Sequence, residues 1–137
     1  MLWLLDTNIA SHAIRGDADV LQRLTALPLH SVKMSAVTQA ELLYGVAKRG
    51  HPAKLAALVH AFIQRVEPLP WTPQVAACYG GLRAACEAQG TPLAPLDMMI
   101  AAHALALGQT APVTLVTRDG AFARVPAAQG LVVASWR

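Results

Sequence analysis

Short, almost continuously apolar runs recur five times along the chain, and stretches with helical spacing separate them. The runs cover residues 1–5, 30–34, 66–69, 113–116 and 131–134, and the helical stretches lie near residues 9–15, 18–26, 36–48, 53–65, 73–89 and 96–107. Apolar runs of this length are typical of strands buried on both faces of a parallel sheet. Strands separated by helices join through right-handed crossovers. We therefore predict an α/β fold with a central, mostly parallel five-stranded sheet and helices on both faces.

The size and composition of the chain fit one domain over residues 1–137. Its 55% hydrophobic content is enough for a single core. Charged residues make up only 14% of the chain, so little polar material is left to cover the surface, and burial in an oligomer or a partner complex would account for this. The net charge of +3 is compatible with a polyanionic partner.

The cysteines and the apolar segments bear on the cellular compartment. Cys78 and Cys86 lie in one predicted helix, about 12 Å apart along its axis, which is too far for a disulfide. Residues 98–117 carry no charge, but turn residues at 108–112 interrupt them, so they are not expected to span a membrane. Asp6 follows five apolar residues without a basic prelude, unlike a secretory signal. We expect a cytoplasmic protein.

Four of the eight acidic residues stand close to predicted strand ends or helix starts. Asp6 follows the first strand and Asp119 follows the fourth, while Glu41 lies early in the helix after the second strand and Asp97 opens the last helix. The carboxyl ends of parallel strands share one edge of the sheet, where ligand sites form. We therefore expect these four carboxylates to lie close together at that edge.

Clustered carboxylates repel one another unless a cation neutralises them, and Mg²⁺ or Mn²⁺ prefer such oxygen ligands. Each residue also has a purely structural interpretation. Asp6 can cap a helix, Glu41 can complete a capping box with Thr38, Asp97 can interact with a helix dipole and Asp119 can belong to a turn. The residues alone leave both interpretations open.

Other polar and aromatic candidates are predicted to be structural. His103 is six residues beyond Asp97, about 240° around a helix, which favours a core position over a role as a ligand. Tyr44 and Trp71 are predicted to pack in the interior. Aromatic residues are not interleaved with the basic residues of 48–65, which argues against a base-stacking surface there.

Five motifs occur in order along the whole chain. They are Leu-Leu-Asp-Thr-Asn at 4–8, Ala-Glu-Leu-Leu-Tyr-Gly-Val at 40–46, Gly-Thr-Pro-Leu-Ala-Pro-Leu-Asp-Met-Met-Ile-Ala-Ala-His-Ala at 90–104, Thr-Leu-Val-Thr-Arg-Asp at 114–119 and Phe-Ala-Arg-Val-Pro at 122–126. In this order and spacing the chain resembles the PIN-domain ribonucleases, and among them the VapC-type toxins of bacterial toxin–antitoxin pairs.

The resemblance implies a single PIN domain, a three-layer α/β/α sandwich that binds Mg²⁺ or Mn²⁺ and hydrolyses RNA phosphodiester bonds, with transfer RNA as a candidate substrate. It also implies a homodimer that a small cognate antitoxin inhibits by placing a segment over the active site. Asp6 and Asp97 match the metal-binding aspartates, and Glu41 matches the acidic residue of the second motif. Asp119 matches a fourth position that varies in the family, and Leu96 stands where many relatives have a polar residue.

These matches lead to a mechanistic hypothesis. Asp6, Asp97 and Asp119 would hold one or two divalent cations that activate a water for in-line attack on phosphorus. Glu41 would position that water or accept its proton. Three further side chains, Thr7, Asn8 and Thr117, could orient ligands or water, and Arg118 could either hold an RNA phosphate or face solvent.

Two alternatives remain open on the sequence. One is a phosphatase with Asp6 as covalent nucleophile, although the second aspartate expected two residues later is Asn8 and no lysine follows Lys54. The other is a PIN-like module that binds RNA or a partner without cleavage, although all four acidic positions are filled.

Overall fold

The computed structural model describes all residues from 1 to 137, and its centre is a sheet of five parallel strands. The strands are β1 (Leu2–Leu5), β2 (Val32–Ser35), β3 (Glu67–Leu69), β4 (Val113–Val116) and β5 (Val133–Ala134). Their order across the sheet is β3-β2-β1-β4-β5, and every neighbouring pair is parallel. The predicted five-stranded sheet is confirmed, and it contains no antiparallel strand.

Six helices connect the strands, as predicted. They are α1 (Thr7–Ile14), α2 (Ala18–Ala26), α3 (Ala36–Lys48), α4 (Ala53–Arg65), α5 (Pro73–Ala88) and α6 (Pro95–Leu107). The main differences from prediction are at two strands. β2 begins at Val32 because Leu29–Ser31 form a short 3₁₀ turn, closed by a 2.9 Å hydrogen bond from the Ser31 amide to Pro28. β5 is limited to two residues at the sheet edge.

The sheet separates two hydrophobic cores, and adjacent residues of one strand contribute to different cores. Leu5 and Val116 pack beneath α1 to α4, whereas Leu4 and Leu115 pack beneath α5 and α6. Successive side chains of a strand point to opposite faces, so a strand that is apolar throughout needs helices on both sides. The result is the expected three-layer α/β/α sandwich.

The strand order places a topological switch between β1 and β4. The chain runs from β1 outward through β2 to β3, and it then returns to β4 on the other side of β1. In open parallel sheets, a crevice forms at such a switch beyond the carboxyl ends of the strands. Asp6 directly follows β1, and its amide donates a 3.0 Å hydrogen bond to the carbonyl of Val116 at the end of β4.

The cysteines and the helices agree with the remaining predictions. Cys78 and Cys86 both lie in α5, and neither forms a disulfide. None of the helices combines the length and the apolar character that a membrane crossing requires.

Candidate active site

Asp6 lies between β1 and α1 and is almost fully buried, with 3% of its surface exposed. It caps α1, because its Oδ1 accepts a 2.8 Å hydrogen bond from the Ile9 amide. The pKa of Asp6 is raised to about 6, mainly by burial and to a smaller extent by the nearby charges of Asp97 and Asp119, while Thr117 and the Ile9 amide partly oppose the rise. The capping interpretation is correct, but a simple cap would not need to be buried beside other carboxylates.

Thr117 connects Asp6 to Asp119. Its hydroxyl accepts a 3.0 Å hydrogen bond from the Asp119 amide, and its side chain is close enough to Asp6 to lower the pKa of that carboxyl. Asp119 in turn accepts a 2.9 Å hydrogen bond from the Ala121 amide and caps a 3₁₀ turn at Gly120–Arg124. Buried Thr117 thus lies between the two aspartates that follow β1 and β4.

Asp97 lies in the first turn of α6, which begins at Pro95. Partial burial raises the pKa of Asp97, and the charges of Asp119 and Glu41 raise it further. The Asp97 side chain accepts no hydrogen bond within the chain, and its neighbour Leu96 is 45% exposed. The positive end of the α6 dipole favours a carboxylate at this position.

Glu41 reaches the site from α3 through a contact with α1. Its Oε1 accepts a 2.5 Å hydrogen bond from the Thr7 hydroxyl, and the buried Thr38 hydroxyl lies 3.3 Å from that of Thr7. A capping box between Thr38 and Glu41 is therefore the wrong interpretation. Ser35 caps α3 instead, accepting a 3.1 Å hydrogen bond from the Val37 amide.

The four carboxylates lie close enough that their charges affect one another, and no basic side chain pairs with any of them. Three acidic residues elsewhere form ion pairs, namely Asp17, Glu67 and Glu87. In their present positions, no group of three acidic, histidine or cysteine side chains could together hold a metal ion. Mg²⁺ commonly binds through one or two carboxylates and retains several waters. The carboxylate oxygens of this site therefore fit Mg²⁺ or Mn²⁺ in their chemistry.

Comparison with known proteins shows the family to which this chain belongs. The PIN-domain family model matches residues 3–128. The chain belongs to the PIN-domain family. It is 32% identical over 134 residues to the tRNA(fMet)-specific endonuclease VapC of Salmonella typhimurium, covering 98% of this chain and 97% of the relative. It is 35% identical over 128 residues to toxin FitB of Neisseria gonorrhoeae, covering 87% and 89%.

A solved structure gives the same result for the fold. The crystal structure of DNA-bound VapBC from Salmonella typhimurium contains a chain that is 33% identical to this PIN domain, with a TM-score of 0.89 and full coverage of both chains. The resemblance to VapC-type proteins is therefore confirmed over the whole chain.

Arg118 of this PIN domain does not face solvent, the second of its two predicted placements, because its side chain is only 18% exposed. Its guanidinium donates to Oδ2 of Asp17 at 2.9 Å, to Oδ1 at 3.1 Å and to the carbonyl of Trp136 at 3.1 Å. The Arg118 contacts hold the pKa of Asp17 well below its usual range. Arg118 thus joins the loop before Asp119 to α2 and to the end of the chain.

Asn8 is exposed and makes no side-chain hydrogen bond, so its role stays a prediction.

His103 is a core residue of the PIN domain, as predicted. It is 1% exposed, its Nδ1 lies 2.7 Å from Ser35 Oγ, and its ring packs edge-on against Trp71 with 5.9 Å between centroids. Burial lowers the pKa of His103. The neutral ring links α6 to the start of α3, beneath the site.

Two arrangements were missing from the sequence-based account. One is the contact of Thr7 with both Thr38 and Glu41, for which the only local signal is that Thr38 precedes Glu41 by one helical turn on the same side of α3. The pairing of Asp17 with Arg118 spans 101 residues and has no local signal in the sequence.

Proposed function

We propose that this PIN domain is a Mg²⁺- or Mn²⁺-dependent endoribonuclease that acts as the toxin of a toxin–antitoxin pair. The observation that carries the proposal is the group of carboxylates at the switch between β1 and β4, which no basic side chain neutralises. The Salmonella relative is named a tRNA(fMet)-specific endonuclease, so RNA is the proposed substrate and transfer RNA is the first class to test.

The side chains divide the work of hydrolysis. Asp6, Asp97 and Asp119 would hold the metal ion, which when bound would lower the pKa of water and offset charge on the phosphate. Asp6 must lose its proton to act as a ligand, although burial favours the protonated form. Thr117 fixes Asp6 relative to Asp119. Glu41, held by the Thr7 hydroxyl, orients the attacking water and accepts its proton.

The toxin role requires a partner that blocks the site. We propose a small cognate antitoxin whose segment covers the carboxylates, in line with the VapBC structures that this chain resembles. Co-expression with the protein encoded next to this chain, followed by size-exclusion chromatography, tests it. Recovery of a complex that no longer cleaves RNA is the expected result.

We also propose that the chain forms a homodimer. The support is the low content of charged residues together with several large apolar side chains that remain in solvent. Apart from Tyr44, which lines a separate cleft, they are Met1, Leu29, Leu43, Leu58, Leu96, Val132 and Val133. Light scattering after size exclusion should give twice the monomer mass, and a monomer at micromolar concentration would contradict the proposal.

The decisive experiment incubates purified protein with labelled total RNA in Mg²⁺, Mn²⁺ or EDTA. We expect cleavage that is lost with EDTA and in Asp6→Asn and Asp97→Asn. Glu67→Gln removes one negative charge from an exposed ion pair on β3, two strands from β1, and serves as the matched control. Mapping the cut sites after brief expression, with Asp97→Asn as background, identifies the RNA.

Each of the two alternatives predicts a different result. RNA binding without cleavage under every metal condition would favour a non-catalytic binding module. Recovery of a phosphorylated Asp6 from a phosphatase assay would favour the covalent mechanism, for which Asn8 stands in place of the expected second aspartate.

A further inference from the structure

A cleft of about 300 Å³ opens beside Glu41, between α1, α3 and α4. Its floor is mainly apolar, and three basic residues line it, namely Arg15, Lys48 and Arg49. Glu41 is the only acidic residue of the lining, and it also belongs to the carboxylate group. The cleft therefore adjoins the proposed active site at Glu41, and the net charge of its lining is opposite to that of a polyanion.

Tyr44 lines this cleft and is 64% exposed, so the prediction that it packs in the interior is wrong. It follows Glu41 by three residues and lies on the same side of α3. Lys48 Nζ lies over one face of its ring, 5.9 Å from the centroid, and the side chain is largely exposed. An accessible aromatic ring beside cations is the arrangement on which single-stranded nucleic acids stack their bases.

Gly45 provides space next to this ring. It lies within α3 and lines the cleft, and a Cβ added there would meet no atom within 4 Å. Glycine in a helix interior lowers helix stability relative to alanine. The open volume beside Tyr44 is thus retained at a cost to the helix.

The basic residues of the cleft are free of ion pairs, unlike others in the chain. Lys33, Arg83 and Arg118 each bind a carboxylate, whereas Arg15 contacts only the His12 ring, at 3.2 Å. Positions at the ends of α1 and α3 suit cations because of the helix dipoles. The dipoles do not account for an exposed tyrosine at the same place.

We propose that this cleft binds the single-stranded RNA segment adjacent to the scissile phosphate. Tyr44 stacks on one base, and Lys48, with Arg15 and Arg49, contacts the phosphates that follow. This inference rests on the proposed ribonuclease function, since it makes Tyr44 and Lys48 the residues that hold the strand in register with the carboxylates.

Binding can be tested without cleavage, by fluorescence anisotropy of a short labelled single-stranded RNA in EDTA over a series of salt concentrations. Tyr44→Ala should weaken binding by roughly 5- to 150-fold, as expected for loss of one stacked base, and Tyr44→Phe should retain most of the affinity. Lys48→Ala should lower the slope of log K against log salt by about 0.7, the value for one phosphate contact on a single strand. Tyr44→Ala should leave that slope unchanged.

Two further variants complete the design. Gly45→Leu fills the cleft and should weaken RNA binding while the melting temperature is maintained or raised. Arg65→Ala removes an exposed charge at the end of α4, outside the cleft, and should leave the affinity close to that of the original chain. Thermal melting of each variant separates loss of binding from loss of folding.

The outcomes are distinct. If Tyr44→Ala, Lys48→Ala and Gly45→Leu bind RNA as well as Arg65→Ala does, the cleft proposal is overturned. If RNA affinity is unchanged but the same variants lose a co-expressed antitoxin, the cleft belongs to the protein partner, and the proposal fails. If the expected binding changes occur and the original chain never cleaves RNA with Mg²⁺ or Mn²⁺, RNA binding by the cleft is supported, whereas the ribonuclease function and the placement beside a scissile phosphate both fail.

Discussion

The hydroxyl of Thr7 donates a 2.5 Å hydrogen bond to the carboxylate of Glu41 and so connects α1 to α3 beside the carboxyl edge of the sheet. Thr7 is the residue after Asp6. The turn that places Asp6 at the end of β1 therefore also fixes Glu41, which would otherwise be free to sample several rotamers on its helix. A single backbone feature thus positions two of the four carboxylates.

Thr7→Val should lower the rate of RNA cleavage by roughly 10- to 100-fold, a typical cost of removing a group that orients a metal-site residue. Valine retains the shape of threonine but cannot donate to Glu41. Thr7→Ser should restore most of the rate, because it keeps the hydroxyl. Thr25→Val, on the exposed face of α2, is the control for loss of a hydroxyl. Full activity of Thr7→Val would show that Glu41 is positioned without this bond.

The pKa of Asp6 leads to a prediction about pH in metal-free protein. The folded state raises this pKa from 3.8 to about 6, so the folded protein binds the proton more tightly than the unfolded chain. The contribution of Asp6 to stability is therefore fully present below pH 4 and is lost as the pH rises through 6. At pH 7 the charged form costs up to about 3 kcal/mol, at 1.36 kcal/mol for each pKa unit.

Asp6→Asn should consequently be more stable than the original chain in EDTA at pH 7, and the difference should shrink towards pH 4. Asparagine keeps the cap of α1 without the buried charge. Urea denaturation at several pH values measures the effect, with Asp19→Asn at an exposed position as control. Mg²⁺ should stabilise the original chain and not Asp6→Asn. A variant that is less stable at every pH would contradict this account.

The sequence predicted the elements of this fold well because each carries a local signal. Continuous apolar runs identified strands that helices cover on both faces, and Asp6 and Asp119 were recognised from their positions directly after strands. The role of Arg118 was not predictable, since its partner Asp17 is distant in sequence and reaches it only through the tertiary fold. The burial of Tyr44 was predicted wrongly because α3 is only partly amphipathic. Its sequence therefore does not show which side of the helix other elements cover.

Ser35→Ala should destabilise the fold by roughly 1–3 kcal/mol, the usual cost of leaving a buried polar partner unsatisfied. Ser35 both caps α3 and contacts the buried His103 ring, so the variant removes two interactions. Chemical denaturation measures the change, and Ser135→Ala at an exposed position is the control. Mn²⁺ binding per folded molecule should not change, because His103 is not a ligand. A loss of Mn²⁺ binding in folded Ser35→Ala would place His103 closer to the metal chemistry than we infer.

The pair formed by Asp17 and Arg118 should matter for folding and not for RNA affinity. Lysine cannot reproduce the two parallel hydrogen bonds to Asp17 together with the bond to the Trp136 carbonyl. Arg118→Lys and Asp17→Asn should each lower the melting temperature, and the double variant should lower it by less than the sum of the two, because they disrupt one interaction. Glu87→Gln, which breaks an exposed ion pair on α5, should have little effect.

RNA binding provides the independent test of this assignment. If Arg118 contacted a phosphate, Arg118→Ala would lower the salt slope of RNA affinity by about 0.7, as one lost contact does on a single strand. We expect the slope to be unchanged, because the guanidinium is committed to Asp17 and lies between α2 and the end of the chain. Anisotropy measured below the melting temperature of the variant distinguishes the two outcomes. A reduced slope with an unaltered melting temperature would return Arg118 to the RNA-binding surface.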